Sequence, residues 1–525
     1  MMSCCFRMRK TTVWASAVLV VCLAGLCESA RILCLMTTVS RSHHIFNRAL
    51  TLELAKRGHQ VTVFTPDREK KPVPNLREIL VEGAYEAIHE DYDYESFAEV
   101  SQMGMVGEIF TWGLTTCRHT LSSKGARQLL ELAKNETFDL VITEVALQEC
   151  VLGFVSKFGN PPVIGITAYA CPPWANDLTG NFQNPSYVNT YTLPLTDHMT
   201  FTQRMQNFLL DTYVGLYRTF LYMPEQDELS RKFFGESTPL PSEIEKNVSF
   251  VMVNTHFSTD YPKPLVPAVI EIGGLQAKPP QPLSKDLKEF LDSAKDGAIF
   301  MSLGSNIRSD KLDEASRRAF LEAFAMLPHK VLWKWESDSL PGQPPNVKII
   351  KWAPQNDILA HPNVKVFISH GGMLSTMEAV YHGVPVVGVP FLADQYANLR
   401  KNVAKGAAVE LDTLRLTKES VLEAINKILK NPSYEQRMKR LSAIYRDRPQ
   451  TALETAVWWT EYALRHQGAP HLRCASLDLH WFQRWLLDVI AFLLLAAAAV
   501  SSALYLLTRK VLSALFQEGG KLKRS

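Results

Sequence analysis

Charge of one sign is what this sequence has little of. Its 56 Lys and Arg residues are set against 53 Asp and Glu, leaving +3 at pH 7, so no strong field points to nucleic acid as a partner. Usable cysteine is also scarce. Four of the nine, Cys4, Cys5, Cys22 and Cys27, fall in the first 29 residues. The other five, Cys34, Cys117, Cys150, Cys171 and Cys474, are too widely spaced for a disulfide framework or a zinc pattern. Buried or free thiols and a single disulfide both stay open. No internal sequence repeat stands out.

Long uncharged runs are few, and the two that matter lie at the ends. Arg7, Arg9 and Lys10 precede an apolar run from Val13 to Leu26, followed by small residues up to Ala30. This is the pattern of a secretory signal peptide over residues 1–29, too short and wrongly flanked for a membrane span. Val489–Leu507 carries no charge. As a helix it reaches about 28 Å, close to the ~30 Å hydrocarbon core. Arg509, Lys510, Lys521, Lys523 and Arg524 follow, against one Glu518, which places residues 508–525 in the cytosol. The expectation is a single-pass type I membrane protein with a luminal body. Asn135-Glu-Thr137 and Asn247-Val-Ser249 are glycosylation sequons usable only in that compartment.

Between these ends, 525 residues at 46% hydrophobic content are enough for more than one core. The proline-rich stretch 276–285 reads as a linker. It separates an N-terminal domain over 30–275 from a C-terminal one over 286–467, with 468–488 as the juxtamembrane segment.

The chemistry concentrates between Trp352 and Gln395. Val364–Ile368 is a short apolar run suited to a buried strand. Ser369-His370-Gly371-Gly372 breaks the pattern, and from Met373 the apolar spacing is helical through Leu374, Met377 and Val380. Strand, Gly-Gly turn and helix make an anion site, because first-turn N–H groups lack acceptors and glycine lets a phosphate approach the backbone. Val384–Val389 reads as the next strand. Asp394-Gln395 lies past its carboxyl end, where open α/β sheets bind ligands.

Trp352-x-x-Gln355, His370-Gly-Gly, Ser375, Glu378, Pro385, Pro390 and Asp394-Gln395 together resemble the signature of the UDP-glycosyltransferase superfamily. The resemblance covers nearly the whole chain. It implies an α/β protein of the GT-B class, two facing Rossmann-like domains with the nucleotide sugar held by the C-terminal one, and one C-terminal transmembrane helix. It further implies that Trp352 stacks on uracil and Gln355 bonds the ribose. His370, Gly372 and Ser375 hold the diphosphate, Glu378 takes ribose hydroxyls, Asp394 and Gln395 take sugar hydroxyls, and Ser305 in the Leu303–Asn306 turn faces the donor. Leu374 departs from the asparagine that many members carry there.

In the N-terminal half, Arg31–Thr38 reads as a strand, Val39–His44 as a loop and Ile45–Lys56 as a helix. The family has its catalytic histidine in that loop. The Arg57-Gly58-His59-Gln60-Val61-Thr62-Val63 run fixes the register, and counting back lands on His43 rather than His44. The family's aspartate partner is matched best by Glu144, which ends the strand Phe138–Thr143, with Glu149 as competitor. Residues 81–130 resemble the variable acceptor region, and 172–205 resembles loops over the acceptor.

The resemblance therefore implies an inverting, metal-independent UDP-glycosyltransferase with no cofactor beyond its UDP-sugar. His43 is the expected base and Glu144 its partner. His-Gly-Gly-Met-Leu-Ser and Ser-Arg-Ser-His-His resemble the insect branch, which implies UDP-glucose as donor and a small lipophilic hydroxylated acceptor, in detoxification or conjugation. Lys521 and Lys523 resemble a dilysine signal and imply the endoplasmic reticulum. Three rivals are a glucuronosyltransferase, a weakly active donor-binding homologue, and a metal-dependent transferase using Asp91 and Asp93. A homo-oligomer is left open.

Overall fold

The structure, a computed structural model, describes residues 29–89 and 100–522. The chain forms a large unit ending at Arg473 and a smaller one beginning at Cys474. The large unit is built on two all-parallel sheets. The first has seven strands in the order β3-β2-β1-β4-β5-β6-β7. They are β1 (Arg31–Leu35), β2 (Gln60–Thr65), β3 (Leu76–Leu80), β4 (Leu140–Glu144), β5 (Val163–Thr167), β6 (Val248–Val253) and β7 (Val269–Glu271). The second has six, ordered β10-β9-β8-β11-β12-β13. These are β8 (Ala298–Ser302), β9 (Lys330–Lys334), β10 (Val347–Ile350), β11 (Val364–Ser369), β12 (Val386–Gly388) and β13 (Ala408–Glu410).

Parallel strands need apolar residues on both faces, because helices cover both. β1 shows this directly. Ile32 and Cys34 enter one core, Leu33 and Leu35 the other. The second sheet is sandwiched in the same way by two further cores. In each sheet the strand order reverses once, between β1 and β4 and between β8 and β11. Such a switch opens a crevice at the strands' carboxyl ends, and both crevices matter below.

Two connections join the sheets. Residues 276–285 run outward, with Gln281 N donating to Asp357 Oδ1 (2.8 Å) and Gln276 Nε2 to the Leu374 carbonyl (3.2 Å). The chain returns through the helix Ala452–Arg465, opened by a Thr451/Glu454 capping box. Its Ala452, Ala456, Val457 and Ala463 bury into the first sheet's core beside the helix Arg41–Lys56. Just before that helix, the Tyr445 hydroxyl donates to the Gly273 carbonyl (2.8 Å), so the outward and return crossings are tied together.

Several elements differ from the sequence reading. The first helix begins at Arg41, not Ile45, so residues 41–44 form its first turn. Residues 102–122 form a 21-residue helix, Gln102–Ser122, capped by Ser101. Cys117 and Cys150 are disulfide-bonded, tying that helix to the turn after β4, while Cys34, Cys171 and Cys474 are free. β12 is limited to Val386–Gly388. Within the smaller unit the helix Leu487–Leu522 is 36 residues long, and Leu487–Phe516 is long and apolar enough to cross a membrane, beyond the expected 489–507.

Candidate active site

The first crevice brings together residues about a hundred positions apart. β1 hands over to the helix Arg41–Lys56 at Ser40, whose hydroxyl donates to Asn306 Oδ1 of the other domain (3.0 Å). His43 lies in the helix's first turn. Its Nδ1 is hydrogen-bonded to Oε1 of Glu144, the last residue of β4. Glu144 is buried and its other oxygen has no partner among the described residues, while the His43 side chain keeps 17% of its surface exposed. With Nδ1 engaged by a carboxylate, Nε2 is the nitrogen left for a hydroxyl. The Tyr169 ring packs 5.6 Å from the imidazole.

The two competitors are occupied elsewhere. His44 is turned off the cavity towards Asp67, Glu69 and Arg48, and burial lowers its pKa. Glu149 is held by Arg218 (2.9 Å) and by the Tyr222 hydroxyl (2.9 Å), and Arg218 also pairs with Glu245 (2.6 Å).

The second crevice is the glycine turn. β11 ends at Ser369, Gly371 takes φ +84°, and the helix Met373–His382 starts at Gly372 without any side-chain cap. Its first N–H groups are thus left for a ligand. His370 packs against this turn and against Gly304 of the β8 turn. A Cβ at Gly304 or Gly372 would run into its ring. Burial, with Lys334 adding, pulls the His370 pKa down to about 4, so the imidazole of the free protein is neutral and can donate one hydrogen bond. The Ser305 hydroxyl is buried in the same turn region, without a partner among the described residues.

Gln355 opens the short helix Gln355–Leu359 and donates to Ser375 Oγ (3.0 Å) and Glu378 Oε2 (2.8 Å). Burial pushes the Glu378 carboxyl up to about 7. Trp352 stands beside them 55% exposed, a large ring open to a stacking partner. Asp394 is half-buried, desolvation raises its pKa, and it accepts from Asn398 Nδ2 (2.7 Å). Gln395 Oε1 accepts from the Phe391 and Leu392 amides.

One cavity of about 520 Å³ joins the two crevices. His43 lines it from one domain, and Ser305, Trp352, Gln355, His370, Gly372, Ser375, Glu378, Asp394 and Gln395 from the other. Its remaining wall is mostly apolar and aromatic, with Met105, Ile109, Trp112, Leu147, Tyr169, Trp174 and Tyr191, and with the carboxylate Glu108 beside them. The sequence reading missed Lys334, which ends β9 inside the cavity, and the tyrosines at 169 and 191. The signal for Lys334 was a charge closing an apolar strand (KVLWK) at a carboxyl end, where ligands sit. Asn135 and Asn247 are exposed. Asp91 and Asp93 lie outside the described residues.

Two facing parallel-sheet domains with a ligand cavity between their switch points define a GT-B glycosyltransferase fold. A UDP-glucose:anthocyanidin 3-O-glucosyltransferase solved with UDP has the same fold, at 16% identity and a TM-score of 0.56 over 84% of this chain and all of that one. The family described as UDP-glucoronosyl and UDP-glucosyl transferase matches residues 31–522. UDP-glucosyltransferase 2 of Dactylopius coccus is 42% identical over 90% of this chain and 91% of its own length. UDP-glucuronosyltransferase 2C1 of Oryctolagus cuniculus is 34% identical, over 87% and 94%. The chain belongs to this family and is a UDP-glycosyltransferase.

Proposed function

We propose that the enzyme transfers glucose from UDP-glucose to a hydroxyl of a small lipophilic acceptor, with inversion. The observation that carries this reading is the His43–Glu144 pair facing the uncapped helix start at Gly372 across one cavity. The acceptor lies against the aromatic wall with its hydroxyl at His43 Nε2. His43 takes the proton as the acceptor oxygen forms its bond to the anomeric carbon, and the bond from that carbon to the diphosphate breaks on the opposite face. Glu144 holds the tautomer and stabilises the imidazolium. The departing UDP carries its charge onto the first-turn amides of Met373–His382 and the His370 donor. Trp352 stacks on uracil, Gln355 and Glu378 hold the ribose, and Asp394 and Gln395 hold the sugar.

Glucose is favoured over glucuronate by the similarity to the Dactylopius glucosyltransferase and by Asp394, a carboxylate that suits neutral hydroxyls and repels an acidic sugar. We place the body in the lumen of the endoplasmic reticulum, anchored by the C-terminal helix, in conjugation of lipophiles. Microsomes carrying the protein should glucosylate a phenol from UDP-glucose, with EDTA without effect. Comparable turnover with UDP-glucuronate overturns the choice of sugar, and loss of activity in EDTA overturns the metal-free mechanism.

A further inference from the structure

A cluster of charged side chains sits between the two domains, apart from the residues that line the cavity. Asp260 follows β6 in the N-terminal domain and is 7% exposed at its side chain. Its Oδ2 accepts from Lys263 Nζ of the same loop at 2.7 Å. Its Oδ1 pairs at 2.6 Å with Lys401 Nζ, which comes from the C-terminal domain. One turn on, Lys405 Nζ donates to the Thr259 carbonyl at 3.0 Å. The lysines hold the Asp260 carboxyl well below the usual range despite its burial.

Burying such a pair is weak evidence for stability, because apolar residues of similar volume often do as well; setting register is the better-attested use. The register here belongs to the helix Gln395–Ala404, which carries Lys401 near its end and follows directly on Asp394. At its start Asn398 Nδ2 bonds both Asp394 Oδ2 (2.7 Å) and the Gly371 carbonyl (3.2 Å). The glycine turn presses so close to this helix that a Cβ on Gly371 would lie 2.9 Å from the Gln395 carbonyl oxygen. One rigid helix thus touches the donor turn at one end and the opposite domain at the other.

We propose that Asp260 is a positioning residue: through Lys401 it fixes the helix Gln395–Ala404, and so the Asp394–Gln395 turn, relative to His43 across the cleft. This rests on the reading of Asp394 and Gln395 as the sugar's contacts. The uracil and ribose contacts lie on other elements, and the diphosphate turn, though it touches this helix at Gly371, is carried by β11 and the helix Met373–His382, so the clamp acts first on the sugar moiety.

The test compares three variants of the full-length protein in detergent: Asp260→Asn, Lys401→Met and Lys263→Met. Calorimetry gives the Kd of UDP and of UDP-glucose, UDP-glucuronate and UDP-galactose. Kinetics give the ratio of donor hydrolysis to acceptor glycosylation. Asp260→Asn and Lys401→Met should bind UDP as wild type does, bind the wild type's preferred UDP-sugar about tenfold more weakly, and hydrolyse a larger share of it. Lys263→Met removes a charge from the same cluster but not the crossing, and should leave all three readouts at wild-type values. If Lys401→Met and Lys263→Met behave alike, or if none of the variants changes the gap between UDP and UDP-sugar affinity, the cluster only stabilises the fold and the proposal falls. Should Asp260→Asn fail to fold, Lys401→Met decides, because Lys263 still pairs Asp260 there. A wild type that prefers another sugar corrects the donor reading and leaves the clamp's test intact.

Discussion

His43 and His44 are neighbours in sequence and a third of a helical turn apart in space, and that angle separates their fates. General-base catalysis is worth ~10²–10⁴-fold, so His43→Ala should lose about that in turnover while UDP still binds. His44→Ala should lose about tenfold or less, a bound set by the same scale. Glu144→Gln should fall with His43→Ala, since a wrongly held imidazole is a poor base. Glu149→Gln should instead lower the melting temperature, because it removes one of the two carboxylates that hold buried Arg218, by less than the ~3–5 kcal/mol of a fully broken buried pair, since Glu245 remains. A silent Glu144→Gln would sink the pairing. Glu378 gives a second residue-scale test. Its folded pKa of about 7 stands above the ordinary 4.5, so the folded chain holds more protons between those values and this group's contribution to stability is lost as pH rises through them. On the proposed reading, ribose hydroxyls donate to the ionised carboxylate. UDP affinity should therefore rise from pH 6 towards 7, by up to about tenfold per unit, and level off above. Binding near neutral pH should release a proton, visible as a buffer-dependent enthalpy. Glu378→Gln should flatten the profile; a flat wild-type profile would refute the linkage.

At the scale of elements, the glycine turn is the feature most plainly written in the residues. β11, a break of Ser, His and two glycines, and an apolar helical stripe specify strand, turn and helix locally, with no help from distant contacts. Gly372→Ala should push the His370 ring out of place and weaken UDP binding by about tenfold or more, given ~1–3 kcal/mol for a displaced buried donor. UDP affinity at the wild-type level would show that the ring is not held by this packing. Other elements were illegible for physical reasons. β3 reads Leu-Arg-Glu-Ile-Leu, with only Ile79 buried, and gains its strand form from pairing with β2 rather than from its own pattern. The start of the helix Arg41–Lys56 carries Ser, His and His in place of apolar residues, because that turn faces the cavity. Gln102–Ser122 contains three glycines and little amphipathic contrast, since one side meets the core and another lines the acceptor wall. The Cys117–Cys150 bridge could not be read from spacing, because it joins elements brought together only by the fold. Resemblance and local pattern picked out residues that the structure brings to one cavity; Lys334, Tyr169 and Tyr191 belong to surfaces that exist only once both domains face each other.

For the whole molecule, topology makes a prediction that needs no catalysis. On the proposed luminal orientation, protease added to intact microsomes should trim only the basic tail, and digestion of the 31–473 body without detergent would refute that orientation. The second consequence concerns the paired crossings at 276–285 and Ala452–Arg465, tied by Tyr445 to Gly273. Two straps tied together should restrain twisting and sliding more than rotation about the line through them, so opening of the cleft is expected along that rotation. They also make the covalent linker redundant for cohesion. A protein nicked within 276–285 should still sediment as one particle in detergent and keep most of its turnover. Separation of the fragments would mean that the return helix's buried alanines and valine do not hold the halves together unaided.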